Sequence, residues 1–437
     1  MKTLKQTTLA VSLATSFAVG LLAAGASQAQ NAADIVSEQR QVGAFKHIQL
    51  DGPYQVTVKA QGAPSVSLSG RKDQLAEIET RISGDTLIVG SRRKINFRFS
   101  LGKQTERVKI AISAPMLASL KSSGSGDVIV EQVSGERFSI QADGPGDIRA
   151  SGSVRELNAG STGSGDLFLE RFSATNVKLD MFGPGDVSMA GINGDFKIAA
   201  SGSGDLRATG LQATRVAARM DGPGDVTLSG TASELKLDVH GSGDFSGCQL
   251  AVDNAAAALH GPGAGCVSGK IKALEAQVHG SGDLTVHGLI AQQARVQLSG
   301  PGNAKLDGTV GVLTADVSGS GELDARALNV TNANLKSSGP GGIRMATVTG
   351  ALDAAISGSG GLSAAMAGKR LALKMDGPGA ARVSGTVDTV KAEVHGSGEL
   401  DGRALVVSGK SDIVVDGVGG ARIGASRFGR GTSHSSK

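Results

Sequence analysis

The chain has no tryptophan, one tyrosine and only 3% aromatic residues among 437. Whatever core it builds must therefore be aliphatic, and a saccharide site that stacks sugars on exposed rings has almost nothing to work with. Cysteine is scarce as well, with Cys248 and Cys266 alone. Net charge is only +4 with histidine neutral, too small to argue for a nucleic-acid partner. Past the N-terminus, no apolar run is long enough to span a bilayer. There is no Gly-x-Ser-x-Gly elbow with suitable partners, no zinc-protease helix and no phosphate loop ahead of a helix. The expectation is a protein that is not an enzyme.

What is abundant is glycine, 65 residues of it, and most falls in one recurring tetrapeptide. It first reads Gly124-Ser125-Gly126-Asp127, then Gly144-Pro145-Gly146-Asp147, and continues to Gly417. Steps between leading glycines alternate 20 and 19 residues until late in the array, and the second residue alternates Ser and Pro. The sequence repeat is thus a 39-residue pair. A short fixed period over most of a chain marks units that bury apolar surface only by stacking on neighbours. Within a unit one parity rule holds: in 235–245, Leu235, Leu237, Val239 and both glycines share one side, while Lys236, Asp238, His240, Ser242 and Asp244 share the other. Period-two alternation is a strand signature, so the glycines face inward and Ser, Pro and Asp outward. Such units cannot form antiparallel hairpins in register. They wind one way, giving an all-β parallel β-helix or β-solenoid of 19–20-residue units, right-handed by the usual crossover rule. One coil could hold one motif or the full pair; the strict Ser/Pro alternation favours the pair.

The N-terminus reads as a secretory signal over residues 1–29: Lys2 and Lys5, an apolar Leu9 to Ala26, and small residues before Gln30. A flexible lead-in over 30–44 follows, then a β region over 45–122 that caps the solenoid, the repeats over 123–423, and a disordered tail over 424–437. Asp51-Gly52-Pro53 looks like a degenerate copy of the motif, so the stack could begin there. Gln74 to Ile82 carries a weak helical pattern. A basic stretch, Arg92, Arg93, Lys94, Arg98, Lys103, Arg107 and Lys109, suits either a solvated edge or an acidic polymer.

Three groups of residues could carry chemistry. Asp127, Asp166, Asp205, Asp244 and Asp283 belong to an outward acid column that could hold Ca2+ or could accept backbone N–H groups at the glycine bend. The equivalent positions lapse to Ala264, Asn303 and Gly342, which favours the backbone role. His240, His260 and His279 occupy the place just before the glycine in three consecutive units, where imidazoles in register could hold Zn2+. The same place takes Ser123, Asp143 and Thr162, so it also simply accepts polar residues. No resident cofactor is expected, with Ca2+ or Zn2+ as the alternatives. Cys248 and Cys266 lie in adjacent units; a straight ladder sets their Cα atoms about 8 Å apart, beyond disulfide reach, unless a bulge at Phe245-Ser246-Gly247 closes the gap. A disulfide and two free thiols both remain open.

The tandem Ser-Gly-Ser-Gly-Asp units (Ser123 to Asp127, Ser201 to Asp205), behind a strand region ending in Pro115-Met116-Leu117, resemble the family described as putative auto-transporter adhesin, head GIN domain. The resemblance spans roughly Phe45 to Ile423. It implies an exported β-helical protein with an adhesive or envelope role and no established chemistry. The expected function is therefore a non-catalytic structural or binding protein of the bacterial envelope, periplasmic or at the cell surface. Its polar surface would be multivalent toward glycan, lipopolysaccharide or a cell-surface protein. The competing readings are a polysaccharide-active enzyme and a metal-dependent binder.

Overall fold

A computed structural model of the chain describes residues 35–92 and 107–436. The signal segment and Arg93, Lys94, Arg98 and Lys103 of the basic stretch lie outside the described residues. The repeats form stacked parallel strands. Leu206–Met220 pairs with Val226–Val239, which pairs with Phe245–Leu259, which pairs with Gly265–Val278, each in parallel. Successive motifs therefore lie directly on one another, and each coil holds one motif. The pair favoured by the Ser/Pro alternation is not the structural unit.

The 39-residue period has a different origin. Coils beginning with Gly-Ser-Gly carry a 15-residue strand, as in Leu206–Met220, and most unbroken coils beginning with Gly-Pro-Gly a 14-residue strand, as in Val226–Val239; the late Gly-Pro-Gly coil Ala380–Val394 has 15 residues and pairs with Gly361–Met375 without a bulge. The extra residue sits at a corner: Ala208 pairs with Leu228 and Leu211 with Gly230, so Thr209 and Gly210 together face Ser229. Gly210 takes φ +63°, in the left-handed region that a bulge of this kind asks of glycine. Before Gly361–Met375, a one-residue bulge in alternate coils lengthens the sequence period without changing the stack.

The parity rule holds in the burial. Leu235, Leu237 and Val239 are 3% exposed or less, whereas Asp205 and Ser203 are exposed and Gly204 is buried between them. Buried Val, Leu, Ile and Ala form one continuous column from Phe45 to Phe428, with Phe138, Phe196 and Phe245 as its largest enclosed side chains. The inward glycines have a sharper reason than a thin core. A Cβ on Gly222 would land on the carbonyl oxygen of Gly202 in the coil below, and one on Gly241 on that of Gly222. Backbone meets backbone at the bend, and a side chain has nowhere to go.

The stack starts below the first full motif. Gln55–Lys59 pairs in parallel with Val128–Ala142, and the backbone N–H of Gly126 donates to the carbonyl of Gly52 at 3.3 Å. Asp51-Gly52-Pro53 is thus seated directly under Gly124-Ser125-Gly126. Both ends then switch to antiparallel pairing. Ile35–Arg40 pairs with Ser65–Arg71, and Thr432–Ser436 with Ser411–Val415, while Ser426–Phe428 turns back on Gly420–Ile423. Within the segments expected as a flexible lead-in and a disordered tail, Ile35–Arg40, Ser426–Phe428 and Thr432–Ser436 are thus paired strands. They pair because the last strand of a stack offers a row of unused N–H and C=O groups. The helix is Lys72–Ala76, earlier and shorter than its pattern indicates, and Ile78–Ser83 is a strand paired with Thr86–Ser91.

Candidate functional site

The acid column forms a ladder. The backbone N–H of Asp186 donates to Oδ1 of Asp166 at 2.9 Å, that of Asp205 to Asp186 at 2.8 Å, and that of Asp225 to Asp205 at 2.9 Å. Asp127 and Asp244 do the same for Asp147 and Ala264, at 3.3 and 2.8 Å. Asp283 receives both the backbone N–H and the side-chain amide of Asn303, at 2.9 and 3.0 Å. At the bend the side chain supplies the acceptor that the N–H of the coil above needs. A hydrogen bond to a charged acceptor contributes about 1.5–3 kcal/mol, against about 1 kcal/mol of repulsion between carboxylates one coil apart in water. The ladder wins. It also accommodates two of the lapses: Ala264 still donates its N–H, and Asn303 still accepts, taking the N–H of Glu322 at 2.9 Å.

The histidines meet more closely than a two-motif coil would allow. His240 stacks on His260 at 4.6 Å between ring centroids, and His260 on His279 at 4.9 Å, with the planes 18° and 12° apart. Asp238, two residues before His240 and on the same outward parity, lies beside the first two rings. Its Oδ1 is 3.3 Å from Nδ1 of His240 and 3.6 Å from Nε2 of His260. Burial and the two flanking imidazoles hold His260 below the usual histidine range, which favours its neutral form. Nothing in the repeat pattern singles out Asp238; only its two-residue spacing from His240 could have done so.

The cysteines form a disulfide, with Cα atoms 5.3 Å apart. The gap of a straight ladder closes because Gly247 pairs with Val267 and the next partner of Ser268 is Ala251, so the strand bulges through Cys248. His287 lies against this corner, its Nδ1 2.5 Å from Oδ2 of Asp307, whose Oδ1 accepts the N–H of Gly288 at 2.7 Å.

A third feature is legible only in three dimensions. The register brings Lys236, Ala256, Glu275, Arg295 and Thr314 into one outward line across five coils. A shallow depression of 690 Å³ runs over this line, and a second of 560 Å³ continues it; both are bordered by Thr314. Small side chains, Ala256, Ala355 and Ala372, lie along the two depressions, and charged ones flank them. Most of the acids are tied to neighbouring bases: Glu234 to Arg215 at 2.8 Å, Asp353 to Arg370 at 2.6 Å, Glu393 to Lys391 at 2.8 Å. At the other end of the molecule the described part of the basic stretch is partly spent, since Arg107 lies 3.8 Å from Asp127.

The family model for the putative auto-transporter adhesin, head GIN domain, matches four times in succession, over residues 44–193, 189–288, 266–364 and 349–433. The chain belongs to this family. Three solved structures resemble this GIN-domain chain. A putative adhesin from Bacteroides fragilis is 21% identical, with a TM-score of 0.38, covering 58% of this chain and 96% of its own. A putative lipid binding protein from Parabacteroides distasonis is 18% identical, with a TM-score of 0.35, covering 66% and 96%. A putative adhesin from the same organism is 13% identical, with a TM-score of 0.35, covering 69% and 98%. No curated protein matches this GIN-domain chain. Among the described residues no helix is long and apolar enough to cross a membrane.

Proposed function

We propose that this GIN-domain chain is an exported, non-catalytic binding rod of the cell envelope, which holds an extended polar polymer, a glycan, along the face centred on Thr314. The observation that carries the reading is the continuity of the two depressions: both lie on one face and together run from Arg215 to Glu393. Their lining mixes both signs of charge with Asn254, Gln293, Thr314 and Asn334. Neutral sugars need many such donors and acceptors, each contact weak, repeated at the spacing of the coils. The ion pairing of most of the groove's acids supports a holding role over proton transfer, because a general acid or base needs a carboxyl free to exchange its proton. Membership of an adhesin-like family points the same way.

Immobilised envelope polysaccharide, with purified lipopolysaccharide as one member of the panel, should retain the protein. Replacing Lys236, Arg295 and Lys336 together by alanine should weaken retention about tenfold or more if several contacts act in concert. Equal retention of the triple variant, or release of reducing sugar by the purified protein, would overturn the reading.

A further inference from the structure

We propose that Asp238, His240 and His260 form a binding site for a divalent transition metal, Zn2+ by preference, that ties two adjacent coils together. Two neutral imidazoles and one carboxylate are a donor set that suits zinc, with a fourth position left to water. In a tetrahedral zinc centre with bonds of about 2.0–2.1 Å, neighbouring donors are about 3.3 Å apart. Oδ1 of Asp238 lies 3.3 Å from His240 Nδ1 and 3.6 Å from His260 Nε2, so one edge of the tetrahedron already has the right length and a second is slightly long. The three donor atoms all lie within 4.8 Å of one another. The stacked rings must splay for both lone pairs to reach one ion, and a side-chain exposure of 38% on each histidine leaves room for that rotation.

Asp238 faces the two imidazoles without a hydrogen bond from either. Its Oδ1 is shut off from solvent and accepts no hydrogen bond, an arrangement that costs free energy unless something occupies it. Its Oδ2 faces Arg219 at 3.5 Å, which fixes the carboxylate with Oδ1 turned to the imidazoles. Arg219 does not make the place hostile to a cation, because Asp221 takes its Nε at 2.9 Å and lies 3.6 Å from His240. Two carboxylates against one guanidinium leave the site net negative. His279 stacks on the far side of His260, away from Asp238, and is not assigned as a ligand.

The test is calorimetric titration of the full, oxidised chain with ZnCl2, beside absorption spectra with Co2+ as a reporter of coordination. A single Zn2+ per chain and the intense visible bands of tetrahedral Co2+ are expected. The position before the glycine accepts serine at Ser201 and Ser299, so His240→Ser and His260→Ser should fold. Each should weaken Zn2+ binding about tenfold or more, and Asp238→Asn likewise. His279→Ser and His287→Ser should leave it unchanged. Zinc should also raise the melting temperature of the parent chain but not that of His260→Ser, a readout of cross-coil stapling apart from the binding heat. A silent titration, octahedral-type Co2+ spectra, or binding that survives His240→Ser with His260→Ser would overturn the proposal. So would binding abolished by His287→Ser, which would move the metal to the disulfide corner. None of these outcomes bears on the glycan groove, which lies on other side chains.

Discussion

At Asp205 one carboxylate both accepts the N–H of Asp225 and sits one coil from two others of like charge. The two effects can be separated by substitution. Asp205→Asn keeps the acceptor and removes a charge, and the natural Asn303 shows that the ladder tolerates it. Asp205→Ala leaves the Asp225 amide without its acceptor and should cost about 1 kcal/mol, whereas Asn should be neutral within a few tenths. Amide exchange at Asp225 reads this directly: faster in the alanine variant, unchanged in the asparagine variant. Equal protection in both would mean that the carboxylates serve something other than the backbone. The acidic column is legible in the sequence as a column. That its acceptors serve the next coil, not their own bend, depends on a one-motif coil and so could not be read from spacing.

The coil is the element at which the period misleads. A 39-residue sequence repeat describes the alternation of a corner bulge, such as the one at Gly210, and not the stacking unit. Once each motif is its own coil, His240, His260 and His279 become nearest neighbours, and the bulge through Cys248 brings its Cα to 5.3 Å from that of Cys266. The disulfide links residues 18 apart in sequence, in adjacent coils. Closing a loop of that size stabilises by about 3 kcal/mol in the chain-entropy account. Replacing both cysteines by serine should lower the stability of the central coils by that order, measured as a fall in the urea midpoint. Reduction of the parent chain should produce the same fall. A chain equally stable with and without the bond would show that the coils hold this corner unaided.

For the whole molecule the hazard lies at the ends. A parallel stack can grow by adding a second copy, because each terminal strand presents open hydrogen-bonding groups. Here Ser426–Phe428 and Thr432–Ser436 fold back in antiparallel pairing over the last coils, and Ile35–Arg40 does so at the other end. Removing residues 426–437 should uncover Ser411–Val415 and produce concentration-dependent self-association, seen as a rising mass in light scattering. A monodisperse monomer after truncation would contradict this capping role.

The sequence by itself determined the architecture, the face each residue takes and the location of the acid and histidine columns, because strand alternation and a short repeat are local properties that every unit restates. The tertiary structure alone decided the number of motifs per coil, the pairing of the cysteines, the partner of Asp238, the folding back of the ends and the groove over Thr314. Each of those depends on register between coils, on a corner bulge or on an open edge, and a parallel stack sets register by contacts between residues about twenty apart, which no pattern within one unit encodes.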